Sequence, residues 1–233
     1  MTPMSMIENS RQQTLFRLLL ILLLSALAAG LSYVVLSLPA QDPGLSEQVT
    51  AKLVHSGVSN PVTAVLQNFR GYDTLLEMGV LLLALVGVWS LGGVPQQRKS
   101  PPSDPVLDML PRLLVPLLIL VAGYLLWIGA YAPGGAFQAG AVLAAAGVLL
   151  LLADWRPDAR ASRLPLRIAL VTGLGIFVAV GMVLILLGRR LLEYPPSFAG
   201  SLILLIEVAA SLSIGITLAA LFLGGRPEVE PRR

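Results

Sequence analysis

Six stretches of this chain are almost unbroken apolar sequence, each long enough to cross a bilayer as a helix. They run Leu15–Leu38, Leu75–Val94, Leu113–Ala130, Ala136–Ala153, Leu166–Gly188 and Ser201–Gly224. A hydrocarbon core about 30 Å thick takes roughly 20 residues of α-helix at about 1.5 Å each. The runs are continuous rather than alternating, and an open sheet edge in lipid would strand its backbone polar groups. The prediction is an all-α integral membrane fold with six transmembrane helices, of which the third and fourth are short and joined by only a few residues.

Composition narrows the function. With 56% hydrophobic and 12% charged residues in 233, lipid is the main solvent. No cysteine is present, which excludes disulfides, thiolate metal sites, iron–sulfur clusters and cysteine nucleophiles. The lone histidine, His55, cannot build a zinc site and falls in a loop. No Walker loop, dinucleotide fingerprint or Ser/His/Asp arrangement occurs. The chain therefore reads as lacking cofactors, metal ligands and a catalytic site of its own. Its net charge of +3 comes from basic residues beside apolar spans, where lipid phosphate rather than nucleic acid is the partner.

Arg11 and Arg17 precede the first run, but the run outlasts a signal-peptide core, so it reads as an uncleaved helix. Twelve Lys and Arg residues fall on the side shared by the N-tail, the loops after helices two and four, and the C-tail, against four on the other side. That imbalance predicts both termini in the cytoplasm and an even number of spans. Prolines and charges in GVPQQRKSPPSDPVLDMLP mark a linker at 96–112 between modules 1–95 and 113–233. Pro116 is placed to kink the third span, and Trp89, Trp127 and Trp155 lie near span ends, as an interfacial belt prefers.

Between the first two spans, GVSNPVTAVLQNFRGYDTLLE predicts a short amphipathic interfacial helix. Asn60 is its cap, Pro61 its first residue, and Val62, Val65, Leu66 and Phe69 form one apolar face ending at Gly71. Asp73 or Thr74 then caps the next span, with Glu77 completing a capping box to Thr74. A second reading of Glu77, with Asp73 and Arg70, is an acidic entrance to an ion or proton path.

Glu207 lies about 10 Å into the last span, where an unpaired carboxylate costs at least a few kcal/mol. Ser211 and Gly215 continue its face as a small, polar seam turned toward protein. Glu207 is either a protonated carboxyl or inter-helix hydrogen bond made for packing, or else a proton or cation relay site or the partner of a Lys on another subunit. In YAPGGAFQAGAVLAAAG, Pro133 and Gly134 suit the centre of a type II turn joining helices three and four. The stripe Ala136, Gly140, Ala144 and Gly147 allows close helix approach.

Two of these strings resemble a known family. NPVTAVLQNFRGYDTLLEMGVLLLALVGV is similar to the C-terminal module of the large A subunit of Mrp-type Na+/H+ antiporters, equivalent to the small E subunit of energy-converting membrane-bound hydrogenases. PGGAFQAGAVLAA, with LIEVAASLSIGITLAALF, resembles the antiporter B subunit. The resemblance implies a fused subunit in a bacterial or archaeal cell membrane, packed beside complex I-like antiporter subunits and handling Na+ and/or H+. It carries ion passage over to Asp73 and Glu77, and the B-subunit turn to Pro133, Gly134, Gly135 and Phe137. It leaves a complex I-like energy-converting enzyme as the rival setting. Gln67 stands where the family often has Asp, Tyr131 near where a His commonly precedes the turn, and Ala136 and Ala139 replace glycines.

Overall fold

A computed structural model describes residues 3–38, 44–90, 105–153 and 163–223. Every regular element among them is helical: α1 Pro3–Ser37, α2 Ser46–Lys52, α3 Pro61–Ala64, α4 Gly71–Ser90, α5 Pro105–Ile128, α6 Ala136–Leu152, α7 Arg163–Leu186 and α8 Ala199–Leu223. Among the described residues five stretches are long and apolar enough to cross a membrane: Thr14–Ser37, Gly71–Ser90, Met109–Ile128, Leu164–Leu186 and Ala199–Leu223. Each apolar run predicted from the sequence thus forms a helix, and the protein is a multi-pass membrane protein. Residues 91–104, 154–162 and 224–233, with Trp155, the end of the second predicted run and many of the basic residues behind the predicted orientation, lie outside the described residues.

Residues Met1–Leu45 form a unit of their own, the 35-residue helix α1, whose apolar side chains from Leu15 to Leu38 are exposed. The remaining chain, from Ser46 onward, is a helical bundle arranged around α8. That helix packs against α4, α5, α6 and α7 and buries far more of its length than the other spans do.

The α6–α8 contact rests on small residues. A β-carbon on Gly140 would lie 2.8 Å from Ile214 Cγ2, and one on Gly215 would lie 2.9 Å from Leu143 Cβ. The predicted stripe is therefore a helix seam, extended by Ala139 and Ala146, both buried. On the other side of α8, Gly173 of α7 sits against Ala210 and Ser213, and the Ser213 hydroxyl donates to Leu170 O. Close backbone approach of this kind maximises dispersion contact, the main force between helices where lipid is as apolar as the side chains.

Two features differ from expectation. Helix α5 begins at Pro105 rather than Leu113, so the second half of the predicted 96–112 linker is helical; Pro105 fits a first helical position, and the helix continues through Pro111 and Pro116. Helix α6 keeps the predicted bounds to within one residue, 17 residues or about 26 Å, and its first residue, Ala136, is buried in the bundle. The α5–α6 connection is not a two-residue type II turn at Pro133 and Gly134. It spans residues 129–135, with Gly135 in the left-handed region at φ +105° and Gly135 N–H donating to Leu125 O at 2.9 Å. Gly134 is needed for space: a β-carbon there would overlap Leu125 O.

The α7–α8 loop closes the bundle between α4 and α7. Leu192 takes φ +60°, a costly conformation for a branched side chain, and is buried. Its Cδ1 reaches within 2.6 Å of a β-carbon position on Gly71, beside Phe177. Tyr194 is buried next to it with its hydroxyl unpartnered.

Candidate functional site

The segment 56–70 begins as sequence reasoning expects. Asn60 accepts from the Val62 N–H at 2.9 Å, and Pro61 opens α3. After one turn the backbone widens into a π-turn, Val65–Phe69, closed by the Arg70 N–H donating to Val65 O at 2.7 Å. Val62 and Leu66, on the apolar face, are exposed, whereas Thr63, Ala64 and Gln67 are buried. The polar side of this element is its inner side.

That inner side is fastened to the α5–α6 turn. The Ser59 and Asn60 N–H groups both donate to Ala130 O, at 2.9 and 3.0 Å. Asn60 Nδ2 donates to Ala132 O and the Thr63 hydroxyl to Gly129 O. Asn68 Nδ2 donates to Ser56 O at 3.1 Å, holding the segment's two ends together. The bonds to Gly129, Ala130 and Ala132 satisfy carbonyls of the α5–α6 turn, which no helix pairs.

The predicted capping box is absent. The chain enters α4 at Gly71, so Thr74 lies inside the first turn, buried, and its hydroxyl donates back to Leu66 O at 2.7 Å. The π-turn draws Thr74 away from Glu77, which is exposed. Arg70 and Asp73 form a 2.8 Å ion pair with both side chains largely exposed. Such a surface pair is worth about 1 kcal/mol or less.

Glu207, nine residues along α8, is 3% exposed. Its polar neighbours are the Gln67 side-chain amide and the Ala136 backbone N–H. Its Oε1 lies 2.9 Å from the β-carbon position of Gly135. Gly135 is the N-cap residue of α6 and has no side chain to cap with. The first N–H groups of a helix have no partner within it, and the aligned peptide dipoles place roughly half a positive charge there. Glu207 therefore supplies from α8 the acceptor that α6 lacks, as anions do at helix N-termini.

The structure thus joins Glu207, Gly135 and Ala136, adds Gln67, and places Ser211, with its hydroxyl donating to Val208 O, one turn further along α8. Phe137 packs on the bundle core and Pro133 is exposed. Asp73, Arg70 and Glu77 stand apart at the surface of the chain. Gln67 and Thr63 were not picked as site residues from the sequence. The available signals were the place of Gln67 where the related family often has Asp, and its four-residue spacing from Thr63, which puts the two on one face.

Comparisons with known proteins agree with both resemblances. Residues 106–225 match the family described as a domain related to the MnhB subunit of Na+/H+ antiporter. Residues 12–106 match the family of the MBH E subunit, MbhE. An uncharacterized protein of Methanocaldococcus jannaschii is 30% identical over 132 residues, 48% of this chain and 49% of that protein, so the match spans about half the length of this relative. Among solved structures, a chain of the membrane-bound sulfane sulfur reductase, an archaeal respiratory membrane complex, has the same fold at TM-score 0.65 and 24% identity, covering 90% of this chain and 97% of that one. A chain of the Mrp complex from Dietzia sp. DQ12-45-1b gives TM-score 0.62 and 22% identity over 97% of this chain but 26% of its own length.

Proposed function

The chain belongs to the family of domains related to the MnhB subunit of Na+/H+ antiporters, and from that premise we propose that it is a membrane subunit of a multi-subunit Mrp-type cation/proton antiporter. Its part is to contribute carboxylates and packing surface to an ion-translocation path shared with complex I-like antiporter subunits. The observation that carries the reading is Glu207, a carboxyl buried between a helix N-terminus and a buried amide in the most enclosed helix of the bundle. An acid at such a position is costly, and in membrane proteins it marks ion and proton routes.

In this reading α6, fourth in chain order, also crosses the membrane and brings the spans to six, both termini lie in the cytoplasm, and residues 1–95 and 113–233 are the two modules. The exposed apolar face of Val62 and Leu66 meets the membrane interface or a partner subunit. Asp73 and Glu77 extend the path at the outer surface of α4, where a neighbouring subunit completes their surroundings. The chain has no catalytic site of its own.

A second reading makes it a membrane-arm subunit of a complex I-like energy-converting enzyme. Its support is that the fold matches nearly the whole of a chain in the sulfane sulfur reductase, against a quarter of the Mrp chain. One preparation separates the two. The complex is purified through a tag on this subunit and reconstituted in vesicles, and Na+-dependent proton flux is measured. Flux driven by an imposed ion gradient alone supports antiport; flux that requires an electron donor supports the second reading. Absence of both rejects an ion-path role.

A further inference from the structure

The two polar neighbours of Glu207 are not equivalent. The Ala136 N–H can only donate, whereas the Gln67 amide donates through Nε2 and accepts through Oε1. A carboxylate needs donors, but a carboxylic acid brings its own O–H and needs an acceptor. Of the two neighbours, Gln67 alone can serve both forms.

Gln67 itself is incompletely bonded. It is 3% exposed, yet its Oε1 is buried without a hydrogen-bond partner. An acceptor buried without a partner is destabilising, more than ordinary packing tolerates without return. Because nothing holds that end, turning the amide over breaks no hydrogen bond there. The residue also sits in the middle of a π-turn, a rare backbone form that recurs at functional sites.

We propose that Gln67 is the positioning residue of the Glu207 site. It presents Nε2 to the carboxylate and, after the amide turns over, Oε1 to the carboxylic acid. The carboxyl then stays at the α6 N-terminus in both protonation states. This rests on the reading of Glu207 as an ion-path residue. On loading, a proton delivered by water forms the O–H bond of Glu207; on unloading that bond breaks and the proton returns to water. Gln67 gains and loses none. Other ionisable side chains described on the surrounding elements stand away from the interior: Arg70 and Asp73 pair at the surface, and Glu77, Arg112 and Arg167 are exposed. The buried phenol of Tyr194 belongs to the α7–α8 loop.

The test is pH-difference infrared spectroscopy on the intact complex in membranes, alongside its transport assay. The wild-type spectrum should contain a carboxylic-acid C=O band that Glu207→Gln removes. Gln67→Met should move that band to higher wavenumber, as loss of an acceptor requires, and displace the pH midpoint of transport by about one unit or more. Gln67→Glu, which restores an acceptor of the same length, should return the band toward its wild-type position. An assembled Gln67→Met complex with band and midpoint unchanged overturns the proposal, as does a wild-type spectrum from which Glu207→Gln removes no band. If Gln67→Met does not assemble, isotope-labelled glutamine in the wild type decides: its amide band must change across the transport midpoint, and an unchanged band refutes the role. Full transport by Glu207→Gln would instead sink the ion-path reading while leaving the spectroscopic result on Gln67 standing.

Discussion

The carboxyl oxygen Oε1 of Glu207 lies 2.9 Å from the point where a β-carbon on Gly135 would sit. One contact ties the central helix of the bundle to the first residue before α6 and explains a glycine on two counts. Gly135 has φ +105°, which other residues take only at a cost of about 1–3 kcal/mol, and the carboxyl fills the space a side chain would need. Gly135→Ala should therefore lower the thermal stability of the complex in detergent and reduce transport together. A variant of wild-type stability would show that the contact is dispensable.

The α6–α8 seam makes a sharper contrast between two glycines in helices. Gly140→Ala would drive a methyl to 2.8 Å from Ile214 and 3.1 Å from Ser211 O, an overpacking worth about 1–3 kcal/mol. Gly175→Ala meets nothing within 4 Å and should stay within about 0.5 kcal/mol of wild type. Thermal midpoints of the two variants, measured side by side, check the ordering.

Asn60 works at both ends of its amide, capping α3 and donating to Ala132 O. Asn60→Ala should cost about 1–2 kcal/mol, since the cap is lost and a turn carbonyl is stranded. Thr63→Val, which removes the donor to Gly129 O, should cost about 1 kcal/mol. Faster proteolysis in segment 56–70 of both variants is the accompanying readout.

Tyr194 carries a buried hydroxyl with no partner, and burial pushes its phenol up from the ordinary value. Tyr194→Phe should thus be neutral or stabilising by up to about 1 kcal/mol. The folded pKa lies above the unfolded value of about 10, so the wild type loses stability as pH rises through that value, while the unfolded chain ionises first. The variant should lose less at alkaline pH. A marked loss of stability at neutral pH would mean the hydroxyl has a partner.

What the sequence disclosed and what it concealed have separate physical causes. Long apolar runs have one solution in lipid, so α6, α7 and α8 were legible almost to their ends. Glu207 was legible because an acid inside such a run needs a partner, and the Gly140 and Gly215 seam because small residues recurred at helical spacing. Gln67 was not, since its importance depends on which face of a short helix turns inward. The exposed Val62 and Leu66 show that burial there runs opposite to the rule for soluble proteins. The capping box at Thr74 failed because a π-turn, which no local pattern announced, carries that hydroxyl to Leu66 O.

The most direct measurement is ion transport by the assembled complex carrying Glu207→Gln, with co-purification of its partner subunits as the control for assembly. The amide replaces the carboxyl at the same size and removes the titrating proton alone. The account predicts an assembled complex whose flux falls by about a hundredfold or more, the lower end of what a positioned proton-transfer group contributes. An assembled complex that transports at the full wild-type rate would contradict it.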